Sequence, residues 1–186
     1  MKGAPSGASF SCQNRPGRSG MVRMMRILGK YLWVAALLAA GSAVALADTY
    51  TDKLAKVQVT IPGDFNTTRN GQTLTVSAPD ETVSMVIDSL AETDLEAAGK
   101  AIDKRAAEQV SDLKFKGSPR KVKINGLAGV TLTGSGTVKT KAVRVNTMAL
   151  ITPANRVFFV ITTVNDDATK AAAPVVQQIL SSIKAV

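Results

Sequence analysis

The chain has 186 residues, with 23 lysines and arginines against 14 acids and no histidine, a formal net charge of +9. Six of the 23 cations (Lys2, Arg15, Arg18, Arg23, Arg26, Lys30) precede Asp48, where no acid occurs, so residues 48–186 keep 17 cations against 14 acids, a net of +3. That balance excludes a bulk-charge nucleic-acid binder. Without histidine, and with its single cysteine at Cys12, the chain has no imidazole base, no thiol nucleophile after residue 12 and no ordinary zinc site.

Residues 1–20 are rich in Gly, Ser, Pro and Arg, lack apolar periodicity and are expected to be an unstructured upstream extension. From Met21 a basic stretch leads into an uncharged run from Tyr31 to Val44 and then Ala45-Leu46-Ala47, which together read as a secretory signal over residues 21–47. Small residues at Ala45 and Ala47 place cleavage between Ala47 and Asp48. The apolar run falls just short of the ~20 residues that span a bilayer, so a cleaved signal is expected rather than an anchor. Cys12 precedes that run and is therefore not a lipid-attachment cysteine. The product is a periplasmic or secreted domain, residues 48–186, with no transmembrane segment left after cleavage.

Within that domain, Val57, Val59 and Ile61 alternate with polar residues as a half-buried strand stopped by Pro62-Gly63-Asp64. Thr73 to Ala78 forms the next strand, and Val83, Met85 and Ile87 line one face of a third. The period then changes: Leu95, Ala98, Ile102, Ala106 and Val110 recur at helical spacing behind a capping box of Thr93 and Glu96. Gly99 costs this helix about 1 kcal/mol relative to alanine. Asn125-Gly126 is a strong hairpin signal between Val122-Ile124 and Ala128-Leu132. Strands follow over Val143–Ile151 and Arg156–Val164. The stretch from Val157 to Ile161 is apolar on both parities, as in a central strand covered on both faces. A helix capped by Asp166 or Asp167 closes the chain, burying Val176, Ile179, Leu180 and Ile183, with Pro174 kinking it or starting a separate last helix. These elements predict an α+β fold, a mainly antiparallel sheet covered by helices on both faces in a three-layer αβα sandwich.

The order Val57-Gln-Val-Thr-Ile-Pro-Gly-Asp-Phe65, a strand pair, one amphipathic helix, the Ile124-Asn-Gly-Leu127 hairpin, two long strands and the closing Ile179-Leu-Ser-Ser-Ile183 segment resembles the PsbP-like superfamily. That group includes the extrinsic P subunit of photosystem II and envelope proteins of the DcrB-like type. The resemblance spans nearly all of residues 50–185 and implies an αβα sandwich without a catalytic site, working as a binding or assembly factor. It supplies no active-site residues.

Several motifs admit a chemical reading and a plainer one. Ser181-Ser182-Ile183-Lys184 has the Ser-x-x-Lys spacing of penicillin-binding enzymes but none of their partner motifs, and reads as a polar helix end. Asp80-Glu81 and Asp166-Asp167 sit where turns and caps favour Asp. Gly134-Ser135-Gly136 lacks the rest of a phosphate loop and suggests a turn or bulge. Asn66-Thr67-Thr68 matches a glycosylation sequon by pattern alone. Lys114, Lys116, Arg120, Lys121 and Lys123 place five cations in ten residues without an acid. They serve either as a solvated edge that resists strand pairing or as a patch for an anionic partner.

The function expected is a non-enzymatic interaction or assembly module of the cell envelope, monomeric, without cofactor, metal or nucleic acid. Its partner is an envelope protein or an anionic surface. Two alternatives come from other classes. One is a small-ligand or lipid carrier with a cavity lined from Met85, Ile87, Val143, Val145 and Phe158, and the other a hydrolase built on carboxylates and lysines.

Overall fold

Alternating apolar residues and tight turns build ten strands in a computed structural model that describes residues 47–186. Residues 1–46, where the upstream extension and most of the secretory signal are expected, lie outside the described residues. The strands are β1 (Asp48–Asp52), β2 (Val57–Ile61), β3 (Asn66–Asn70), β4 (Thr73–Ser77), β5 (Val83–Leu90), β6 (Ser111–Ile124), β7 (Leu127–Val138), β8 (Lys141–Ile151), β9 (Val157–Asn165) and β10 (Lys184–Ala185). Helix α1 (Leu95–Gln109) joins β5 to β6, and α2 (Thr169–Ser181) follows a short 3-10 turn at Asp166–Ala168.

Seven strands form one sheet in the order β3-β4-β5-β9-β8-β7-β6, and β1-β2-β10 form a second, with every pairing antiparallel. Strand β9 is the central one. Phe158 faces one side and Phe159 the other, and neither is more than 1% exposed. The continuous apolar run from Val157 to Ile161 is explained by this double burial.

The two faces of the large sheet are closed differently. Ala98, Ile102 and Ala106 of α1 pack with Val143, Val145, Phe159 and Ile161 on one face. On the other, Val57, Val59 and Ile61 of β2 join Ile179 of α2 and Ile183 against Met85, Met148 and Phe158. A full three-layer sandwich is not shown: β2 supplies much of the second cover beside α2, and only two α-helices occur among the described residues. The fold is a sheet-dominated α+β architecture. Strand β1, Asp-Thr-Tyr-Thr-Asp, carries no apolar alternation of its own and exists through its pairing with β2.

Local details also differ from the sequence reading. The N-cap of α1 is Asp94, whose carboxylate accepts from the amides of Glu96 and Ala97 at 2.8 and 3.1 Å, so no Thr93–Glu96 capping box forms. Neither Asp166 nor Asp167 caps α2 with its side chain. Pro174 lies inside α2, which ends at Ser181 instead of continuing through Ile183. The Asn125 carboxamide donates to the carbonyls of Ser181 and Ile183, both at 2.7 Å, and ties the β6–β7 turn to the end of this helix. Asn125 and Gly126 have φ of 45° and 90°, the left-handed pair that an Asn-Gly hairpin requires.

Candidate functional site

Strand β6 ends the large sheet, and the five sequence-predicted cations all lie on it, exposed. Pairing with β7 is interrupted between Ser111 and Lys114 and again between Lys116 and Arg120, where Pro119 falls. Lysines, bulges and a proline are the devices that blunt an edge strand against indiscriminate pairing. The cations do not form one face. Lys114, Lys116 and Arg120 stand opposite Ser135, Thr133 and Thr131, on the side of the small sheet. Lys121 and Lys123 stand opposite Val130 and Ala128, on the side of α1. Among the described residues none of the five lies in an ion pair.

The strand order adds a cation that the sequence reading missed. Arg144 of β8 pairs with Ser135 and so shares a face with Lys114, and Asn146 and Thr133 continue that polar face toward Lys116. Arg144 also meets Asp166 at 2.6 Å. Its strand alternation is legible in the sequence, but its proximity to β6 depends on strand order.

Beside Lys121, on the α1 side, a slot of about 100 Å³ opens between α1 and β7. Leu95, Gly99, Val130, Leu132 and Pro119 contribute to its walls, and Asp103 stands on α1 at the same place. Partial burial raises the Asp103 carboxyl above the usual aspartate value. A larger, open groove of about 300 Å³ lies at the far end of the same sheet face, between the β4–β5 and β7–β8 turns, lined in part by Ser77, Ser84, Thr163 and Lys141. Lys139 and Glu81, one from each turn, meet there at 3.3 Å.

The remaining motifs take structural roles. Ser181 closes α2 by donating to the Gln178 carbonyl, and Lys184 lies on β10, so the Ser-x-x-Lys spacing is not helical. Asp80 accepts from the Thr82 hydroxyl and amide at 2.7 and 3.1 Å, and the hydroxyl foremost holds its carboxyl below the ordinary value. Gly134 and Gly136 lie within β7, not in a turn. A Cβ on either would come within 2.8 Å of the Lys114 carbonyl oxygen or 2.4 Å of Val110 Cγ1. The sequon residues Asn66, Thr67 and Thr68 lie exposed on edge strand β3. No grouping of three acids suited to a metal occurs among the described residues. Met85, Ile87 and Phe158 pack in one core cluster and Val143 and Val145 in the other, so they cannot line one carrier cavity. Strand parity sends them to opposite sides of the sheet. No helix among the described residues is long and apolar enough to cross a membrane.

No family model matches the chain, and no curated protein matches it by sequence. Solved structures do match by fold. Cyanobacterial PsbP (CyanoP) from Synechocystis sp. PCC 6803 superposes with a TM-score of 0.58 at 10% identity, over 80% of this chain and 97% of that one. The fold is therefore PsbP-like. LpqN of Mycobacterium tuberculosis, a protein involved in cell envelope biogenesis, matches with a TM-score of 0.49 at 12% identity over 75% of this chain and 84% of its own.

Proposed function

We propose that this domain is an exported, non-enzymatic binding or assembly module of the cell envelope, and that strand β6 docks it on an acidic protein surface. The signal over residues 21–47 delivers it, and cleavage between Ala47 and Asp48 releases it as a monomer that needs no cofactor. The observation that carries the reading is the set of exposed cations on β6, free of carboxylate partners and divided between both faces of an edge strand. A planar anionic bilayer would meet the cations of one face only. A protein that wraps the edge meets both. The PsbP-like fold is compatible with such a role and transfers no residues, because one fold hosts many functions.

Capture from the envelope fraction tests it, with the exported protein as bait at low and at physiological salt. A specific acidic protein should be retained at low salt and lost steeply as salt rises, since exposed charges are screened over ~8 to 10 Å. Replacing Lys116, Arg120, Lys121 and Lys123 together with Gln should abolish retention while moving stability by less than about 0.5 kcal/mol. Retention on anionic vesicles alone, or unchanged capture by the quadruple variant, would refute the reading.

A further inference from the structure

The slot between α1 and β7 is unexplained by the electrostatic reading, and Gly99 of α1 is among the residues that line it. A glycine in a helix interior is normally retained for a positive φ or for close approach of a neighbour. Neither applies: Gly99 has ordinary helical geometry within α1, and a Cβ built on it would meet nothing within 4 Å. The destabilisation that glycine brings to this helix therefore yields no packing. It leaves a recess walled mainly by Leu95, Ile102, Val130, Leu132 and Pro119, with Asp103 and Thr147 as its polar lining. Lys121 stands beside Val130 on the same sheet face, with Lys123 two residues along, so two unpaired cations flank the recess.

We infer that this recess is the anchor pocket of the docking surface, receiving one leucine- or phenylalanine-sized side chain of an acidic partner segment whose carboxylates meet Lys121 and Lys123. The inference rests on the reading of β6 as the docking strand and gives its recognition rule. A volume of about 100 Å³ suits a single side chain and is too small for a free ligand of drug or cofactor size. Interfaces draw their affinity from such central apolar anchors ringed by polar contacts. The cations on the opposite face of β6 add attraction without selecting a side chain.

The test uses two capped peptides, Asp-Glu-Leu-Glu-Asp and Asp-Glu-Ala-Glu-Asp, titrated at low salt into the exported protein and its variants. The leucine peptide should bind about tenfold more tightly than the alanine peptide, the gain from burying the larger side chain. Gly99→Leu should erase that ratio by filling the recess from within. Gly99→Ala, the smaller companion, should reduce the ratio and raise Tm by about 3 to 5 °C, so loss of selectivity would accompany a better-folded protein. Lys121→Gln with Lys123→Gln should weaken both peptides and keep the ratio. Equal binding of the two peptides with salt-sensitive affinity would overturn the anchor pocket and leave the electrostatic docking standing. A leucine preference that survives in Gly99→Leu would overturn it too. Binding of neither peptide would overturn it as well, with capture from the envelope still deciding the broader reading.

Discussion

Asp88 shows how single side chains lock α1 onto the sheet. It lies on the α1 face of β5, its side chain 5% exposed, and accepts from the Thr73 hydroxyl at 2.6 Å and the Ser89 amide at 2.7 Å. Arg105 of α1 completes its shell as an ion pair and places its guanidinium 5.3 Å from the centre of the Phe159 ring. Because Arg105 is itself 38% exposed, part of the pair's strength is screened by water. Asp88→Ala is expected to destabilise by about 2 to 3 kcal/mol in denaturant unfolding, chiefly by stranding the hydrogen-bond donors. Phe159→Ala, at a fully buried position, should cost about 3 to 5 kcal/mol, and a loss below about 1 kcal/mol would contradict the double coverage of β9. Thr162 is the opposite case. It is 2% exposed, and its hydroxyl has no partner among the described residues. Thr162→Val keeps the shape, removes an unsatisfied group and should raise stability by about 1 kcal/mol. Phe159 could be assigned to the core from the sequence, since its run is apolar on both parities. Asp88 could not, because an acid between apolar residues reads as solvent-facing until the helix that brings Arg105 is in place.

Among the elements, α2 departs most from its local sequence signals. Its proline at position 174 removes an amide donor from the helix interior, and no side chain caps its start. What holds it is burial of Ala172 and Ile179 together with the grip of Asn125 on the carbonyls of Ser181 and Ile183. Pro174 is exposed, so Pro174→Ala should restore the missing hydrogen bond and stabilise the domain by about 1 to 3 kcal/mol, read from the urea midpoint. No gain would mean that the ring relieves strain elsewhere in the helix. Strands β1 and β3 were missed for the converse reason: Asp-Thr-Tyr-Thr-Asp and Asn-Thr-Thr-Arg-Asn lack alternating apolar residues and become strands only by pairing with β2 and β4. Helix α1 was legible almost to the residue, since a sustained 3.6-residue period over fifteen residues has no other interpretation. Only its cap was displaced by one position, because Asp94 outcompetes Thr93 for the first amides.

At the scale of the whole molecule, β1 begins at Asp48 and pairs from that residue onward with Ile61. Cleavage after Ala47 would leave the strand whole, and N-terminal sequencing of exported protein should read Asp-Thr-Tyr-Thr-Asp. Material starting several residues later would lack the outer strand of the small sheet and should unfold at lower denaturant. By itself the sequence determined the α+β class, the central place of Val157–Ile161, helix α1, the Asn-Gly hairpin and the clustering of five cations, because each rests on spacing or turn chemistry within a short window. Tertiary structure alone decided which element covers the second face, that the cations divide between both sides of an edge strand, that Arg144 joins three of them, and that Gly99 opens onto a recess. Those facts depend on strand order and on which faces the long connections bring together, and a local pattern carries neither.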